Sequence, residues 1–263
     1  MRRFRTEWAP KGNRVSVMVA NIFRAHLDPK GLMRHRGKTA MYDQWHYAPV
    51  QPSVSNYGLI NVWDFNSDSD VDIRDVWDET SVGTGISLAV MDERPGVAKF
   101  RNGASDNDYY YYFAKYETAK LQSGKGLWFR TDMRVVDVDQ ADVFIGLCKR
   151  LASGNVFDNR VDAIGFYMAD GSTSINCECI KNGFATQKTG KGTSVDDTFV
   201  KLDFHVSEAT VVEFFIDNVW VCTIEQALNI PDDEEMSFVF GCRNGQAAAN
   251  EMSIKRTVLL QDE

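Results

Sequence analysis

The chain has 263 residues, 44% hydrophobic and 25% charged, enough for one large β domain or two smaller domains with a real core. Its net charge of −8 argues against general nucleic-acid affinity, and no apolar run approaches the length of a membrane-spanning helix. Aromatic residues make up 12%, and with many Val and Thr they lean the chain toward strands.

Residues 1–57 differ from the rest and read as an extended arm. Residues 1–40 hold ten of the 29 Lys and Arg and two of the 37 Asp and Glu, a net +8 that leaves −16 for the remainder. Four of the six prolines fall here (Pro10, Pro29, Pro49 and Pro52), and YAPVQPSVSNY reads as a linker. SVMVANIFRAH (16–26) could form a short helix. The start, MRRFRTEW, is basic but lacks the apolar stretch of a secretory signal, so synthesis in a cytoplasm, with release by lysis if at all, is expected. The arm mixes charge with large apolar side chains, unlike a polybasic tail. Nucleic acid, an acidic protein partner and the acidic body of the chain are all conceivable contacts. Protein contact is favoured, through Arg2, Arg3, Arg5, Trp8, Ile22, Phe23, Arg24, Arg34, Arg36 and Trp45.

From residue 58 onward, short apolar or alternating runs recur between Asp, Asn and Gly. Strands are expected at 59–65, 85–90, 97–101, 109–114, 126–136, 142–150, 162–169, 174–181, 199–206, 210–216, 219–224, 236–242 and 251–260. Asp170-Gly171, Asn182-Gly183 and Asn244-Gly245 are turn signals, and at most one helical turn is expected, near 225–228. Many short strands without a long helix predict an all-β sandwich or barrel over 58–263. In VVEFFIDNVWV (211–221), Asp217-Asn218 can take the positive φ values of a two-residue turn. Regular pairing would set Ile216 opposite Val219, Phe215 opposite Trp220, Phe214 opposite Val221 and Glu213 opposite Cys222. That hairpin is apolar on both faces near its turn, so Phe215 and Trp220 are expected to meet a second layer or another subunit.

The five cysteines, Cys148, Cys177, Cys179, Cys222 and Cys242, mostly sit in apolar runs and read as buried free thiols. Cys177-x-Cys179 has no His nearby in sequence, so no zinc site is assigned. Asp68-Ser-Asp70-Val-Asp72 opens like a calcium loop and Glu79 stands at its twelfth position. Ile73, however, occupies the turn position that needs Gly, and the run is read as an acidic loop. In DNDYYYYF (106–113), alternation puts Tyr109, Tyr111 and Phe113 on one face and Tyr110 and Tyr112 on the other. One set belongs in the core. The other, taken as Tyr110 and Tyr112, could meet sugar rings or, preferably, a neighbouring subunit.

The ordered series GKGLWFRTDMRV, DVFIGLCKR, DAIGFYMADGS, DDTFVKLDFHV, VVEFFIDNVWVCTIEQALNIPDDE and EMSIKRTVLL resembles a group of tailed-phage virion proteins with a concanavalin A-like, laminin G-like jelly roll. The resemblance covers about 57–262. It implies a jelly-roll β-sandwich of about a dozen antiparallel strands and a role as a capsid decoration, or cement, protein. Such a protein would sit on the virion exterior as a homo-oligomer, a trimer by preference, bound to the major capsid protein, with the arm tying neighbouring subunits. A host-adhesion, carbohydrate-binding or tail-fibre component is the alternative. Laminarinase-type glucanases with the same jelly roll carry E-x-D-x-E on one strand. The nearest run here, Asp137-Val-Asp139-Gln-Ala-Asp142, has no Glu and reads as a solvated turn. His205, the only histidine of the body, reads as a packing or surface residue. No catalytic residue, metal or cofactor is therefore assigned, and the protein is not expected to be an enzyme.

Overall fold

The structure, a computed structural model, describes residues 57–63, 77–91, 97–115, 117, 119–225, 227–255 and 257–262. The arm and its ten candidate contacts from Arg2 to Trp45, and the Asp68–Asp72 run, lie outside these residues.

Among the described residues, seventeen strands form two sheets. The first sheet holds β1 (Tyr57–Trp63), β3 (Ser87–Met91), β4 (Val97–Arg101), β7 (Leu127–Val135), β12 (Val200–Ser207), β13 (Val211–Ile216), β14 (Val219–Ile224), β16 (Glu251–Ile254) and β17 (Thr257–Asp262). Its order is β14-β13-β12-β7-β16-β4-β3, with β17 on β7 and β1 on β17. The second holds β2 (Trp77–Val82), β5 (Tyr109–Ala114), β6 (Ala119–Lys120), β8 (Ala141–Cys148), β9 (Ala163–Met168), β10 (Ser174–Lys181), β11 (Phe184–Thr193) and β15 (Glu235–Asn244). Its order is β11-β10-β9-β8-β15-β5-β2, with β6 on β15. The sheets face each other as the expected antiparallel sandwich.

Alternation builds the core. Phe129, Phe204, Phe214 and Met252 point inward from the first sheet, and Ile145, Phe166, Phe238 and Phe240 from the second. Phe129 stacks on Phe204 with centroids 4.8 Å apart and meets Phe238 at 5.3 Å, while Phe166 meets Phe214 edge-on at 5.3 Å. Ring pairs of this kind add about 0.5–1.5 kcal/mol each beyond their area burial.

Three strands are absent from the sequence expectation: β2, β6 and β11. β11 is an edge strand whose residues are exposed or half-buried throughout, so it carries no apolar alternation to read. The expected single strand at 251–260 is β16 followed by β17. The register on β7 slips by one residue between them, so β16 continues onto β4 while β17 continues onto β1.

The β13–β14 turn is as expected, with Asp217 and Asn218 at φ 50° and 66°. Ile216 pairs with Val219 and Phe215 with Trp220, but the register shifts after Phe215. Phe214 then meets Cys222 and Glu213 meets Thr223. Val221 is the extra residue, and its bulge corrects the regular pairing: Cys222 and Ile224 turn into the core.

Candidate functional site

The tyrosine run sits on β5. Tyr110 and Tyr112 point into the sandwich, both against Phe100, and the Tyr110 hydroxyl donates to the Phe100 carbonyl at 3.2 Å. Both are core residues, so neither is placed on a surface that could meet a sugar or a neighbouring subunit. The expectation is corrected because β15 places the inward side chains of Phe240 and Cys242 beside them. Tyr109, Tyr111 and Phe113 take the outer face. Phe215 and Trp220 are cross-strand partners on the outer face of the first sheet, Phe215 buried and Trp220 56% exposed. The Trp220 indole donates to Thr223 Oγ1 at 3.2 Å.

The outer face of the second sheet is the most elaborated surface described. Cross-strand register lays it out in rows. Val82, Tyr109, Arg243 and Asp142 form one row across β2, β5, β15 and β8. Thr80, Tyr111, Gly241, Phe144, Tyr167 and Asn176 form the next. Asp78, Phe113, Val239, Gly146, Gly165, Glu178 and Gln187 form the third. Three glycines therefore adjoin in the middle, and without side chains they leave a trough.

The β8–β9 connection, residues 149–162, lies in that trough. Its Val156 is buried with Tyr111, Phe113, Phe144 and Val239, and Leu151 and Phe157 pack against them. A Cβ on Gly241 would sit 3.1 Å from the Phe157 ring and 2.7 Å from the Tyr111 Cβ, so glycine there makes room for the connection. Asn155 shapes the tip, its Oδ1 accepting from the amides of Phe157 and Asp158 at 2.9 Å each. The Tyr111 hydroxyl donates to the Gly154 carbonyl at 3.1 Å.

Two arginines fasten this connection. Arg160 Nε donates to Glu178 Oε1 at 2.6 Å, its Nη1 donates to the carbonyls of Val156 and Phe157, and its guanidinium lies 4.6 Å from the Phe144 centroid. Glu178 is fully buried, and its other oxygen accepts from the exposed Gln187 at 3.1 Å. Arg243 donates to Asp142 at 2.9 Å and to Asp158 at 2.6 Å and lies 5.2 Å from the Phe157 centroid. The hydrogen bond from Arg243 is the main reason the Asp158 carboxyl is held below the usual carboxylate range.

The half-buried part of this face is an aromatic and charged ledge. Tyr109 stacks on Tyr111 at 6.0 Å, meets Phe157 edge-on at 5.9 Å and faces Arg243 across the strand pair. Partial burial, then the neighbouring Tyr111, raises the Tyr109 phenol, so it stays a neutral donor at ordinary pH. Glu178 is the buried carboxylate of this face, and Asp162, also buried, lies at the end of the connection just before β9. Asp162 accepts from the Asn182 amide at 2.8 Å, and Lys149 stands 4.0 Å away. Glu178 is charge-paired under the connection, so acid or nucleophilic chemistry there requires Arg160 to withdraw. The signal for it in sequence was Asn176-Cys-Glu178, two polar residues on one face of an otherwise apolar strand.

Of the carboxylates singled out from sequence, Asp142 lies on this ledge beside Arg243, and Asp137 lies off it. Asp137 precedes a 3-10 turn at Val138–Gln140 and accepts from Gln246 at 3.1 Å. Partial burial, then Asp139, raises its carboxyl above the usual range. His205 stacks on Trp128 at 4.5 Å and its Nδ1 meets Glu213 at 3.2 Å. All five cysteines are buried free thiols, and no group of three or more His, Cys, Asp or Glu among the described residues is placed to hold a metal ion.

No protein-family profile matches the chain. No curated protein matches it either. Solved structures do share the sandwich. A protein of unknown function from Shewanella oneidensis MR-1 matches at 14% identity over 87% of this chain and 96% of its own, with a TM-score of 0.54. An endo-1,3-β-glucanase from Streptomyces sioyaensis matches at 10% identity over 82% and 99%, with a TM-score of 0.56. A glycoside hydrolase family 16 endo-glucanase from Bacteroides ovatus matches at 12% identity over 76% and 99%, with a TM-score of 0.55. At these identities the likeness establishes the fold, a concanavalin A-like jelly roll. It also corrects the expectation that the protein is no enzyme. Further matches are endo-acting O-glycanases and a glucuronan lyase, so the fold is one on which glycan chemistry is carried out.

Proposed function

We propose that this chain binds a glycan on the outer face of the second sheet, along the ledge of Tyr109, Arg243 and Asp142 beside Phe157. The observation that carries the reading is the half-buried Tyr109 ring, backed by Tyr111 and flanked by a fixed guanidinium and two carboxylates. A sugar presents an apolar C–H face to such a ring and hydroxyls to such charges. The glycan-active neighbours support the choice of ligand class. Calorimetric titration of the full chain with β-1,3-linked and mixed-linkage glucan oligosaccharides tests it. Tyr109→Ala and Arg243→Ala should each weaken binding at least about tenfold, a loss of about 1.4 kcal/mol. Unchanged affinity in both variants, or no binding to any glycan, overturns the site. Release of new reducing ends during the titration would extend binding to hydrolysis and make Glu178→Gln the next variant.

A second reading is the capsid decoration role implied by the ordered series of strands. Large apolar side chains are exposed along the edge strands β11 and β14 and on the turn after β14: Phe184 (72%), Leu228 (81%), Val219 (64%) and Trp220 (56%). Such a strip suits a protein neighbour better than water. Co-sedimentation of the full chain with expanded tailed-phage capsids tests this reading. Binding that Val219→Ser and Trp220→Ser together abolish supports it, and failure to sediment counts against it.

A further inference from the structure

Cys177 and Cys222 come from opposite sheets. Cys177 lies on β10 and Cys222 on β14, both point into the interior, and the two strands touch. Their cross-strand partners, Phe166 for Cys177 and Phe214 for Cys222, meet edge-on at 5.3 Å between the sheets, so the two thiols are neighbours across the interior, and both are unbridged. The two cysteines are not equivalent. Cys177 is fully enclosed, whereas Cys222 keeps 6% of its surface on an edge strand. Lys188 stands opposite Cys177 in the β10–β11 register and, with Lys191, places positive charge near Cys222. The remaining thiols differ. Cys148 and Cys242 are fully enclosed and burial pushes each up to about 12, so they hold their protons.

We propose that Cys222 and Cys177 are a peroxide-sensitive pair that closes into a disulfide joining the two sheets. The Cys222 thiolate attacks one oxygen of hydrogen peroxide. The O–O bond breaks, the departing hydroxide takes a proton, and water leaves behind a sulfenic acid on Cys222. The Cys177 sulfur then attacks the Cys222 sulfur, the S–O bond breaks, and the Cys177 proton leaves with the hydroxyl as a second water. Two thiols are oxidised by two electrons and one peroxide becomes two waters. Cys222 fits the attacking role. The hydrogen bond from Cys177, then Lys191 and Lys188, lower its thiol against the opposing effect of burial. Cys177 is raised, first by that same hydrogen bond, and stays protonated until the sulfenic acid draws it in. Closure ties the edges of the two sheets and shortens the unfolded chain by a loop of about 45 residues, so the oxidised form melts higher.

The test treats the full chain, folded and at neutral pH, with a modest excess of hydrogen peroxide. Thiols are then counted after denaturation and the non-reduced digest is mapped by mass spectrometry. The expected result is a fall from five thiols to three, a Cys177–Cys222 cross-linked peptide and a higher melting temperature that a reductant reverses. In Cys177→Ser the sulfenic acid on Cys222 should persist and react with dimedone. In Cys222→Ser no cross-link should form. A circular dichroism spectrum shows that each Ser variant folds. Five remaining thiols, a bridge from Cys222 to Cys179 instead, or over-oxidation of Cys222 without a cross-link in the wild type would overturn the proposal.

Discussion

Replacing Arg160 with Met tests how the connection over the trough is held. The Arg160 side chain is 10% exposed and its partner Glu178 is 0% exposed. Methionine keeps the length of the side chain and its packing on Phe144, and it deletes every donor. The buried carboxylate would keep only Gln187, and the carbonyls of Val156 and Phe157 would lose a donor. Removing one member of a buried ion pair costs about 3–5 kcal/mol, because the other charge is left out of water without compensation. At a urea slope near 2 kcal/mol/M, the unfolding midpoint should fall by about 1.5–2.5 M with the slope unchanged. Adding Glu178→Met removes the stranded charge, so the double variant should be more stable than Arg160→Met alone by at least about 2 kcal/mol. A single-variant cost below about 1 kcal/mol, the level of an exposed pair, would refute the reasoning, as would a double variant no better than the single.

Gly146→Ala would set a Cβ against the Ile164 carbonyl oxygen and 2.6 Å from the Gly165 Cα, so β9 must shift at a cost of about 2–3 kcal/mol. Gly171→Ala, at φ +77° with open space around it, should cost about 1 kcal/mol, and a reversed order in thermal melts would refute the packing account of the trough. Tyr110→Ala should cost about 3–5 kcal/mol in chemical unfolding, whereas Trp220→Ser should stay within about 0.5 kcal/mol; equal costs would contradict their placement inside and outside the core. The lowered Asp158 carboxyl stabilises the fold above its unfolded value of about 3.9, and that contribution is lost as pH falls through the lower folded value. Amide protection over 154–159 should therefore drop below about pH 4, and Asp158→Asn should flatten the response; acid-insensitive protection in the wild type would count against the Arg243 tether.

Much of the sandwich is legible in the sequence because an apolar run bounded by Asn, Asp or Gly is locally sufficient to define a strand. Thirteen such runs find a strand in the structure at or beside their expected place, although the last splits into β16 and β17. Local pattern does not carry choices made by a partner strand. On β5 both alternating sets are aromatic, so period-two spacing separates Tyr110 and Tyr112 from Tyr109 and Tyr111 without saying which set faces in. That decision belongs to β15, remote in sequence, and to Phe100 on β4. The candidate site was hidden for the same reason. Gly146, Gly165 and Gly241 look unremarkable apart and form a trough only when β8, β9 and β15 lie side by side. The residues 149–162 read as an ordinary link until that trough exists to hold Val156 and Phe157.

The Val221 bulge shows how one residue of slip can redirect chemistry. Regular pairing from the Asp217-Asn218 turn would send Cys222 outward beside Glu213, where its thiol would face solvent alone. The sequence gives no warning, because a two-residue turn fixes register only as far as the ladder stays regular. After the extra residue, Cys222 and Ile224 share the interior with Phe214, and Cys222 comes to lie against Cys177 of the other sheet. The bulge and the thiol pair therefore stand or fall together. Deleting Val221 would restore regular pairing, turn Cys222 to the surface and separate the two sulfurs. Such a variant, if it folds, should lose the peroxide-driven cross-link while its Cys222 becomes open to an ordinary alkylating reagent. A variant that still forms the Cys177–Cys222 bridge would show that the pair owes its proximity to something other than the slip in register.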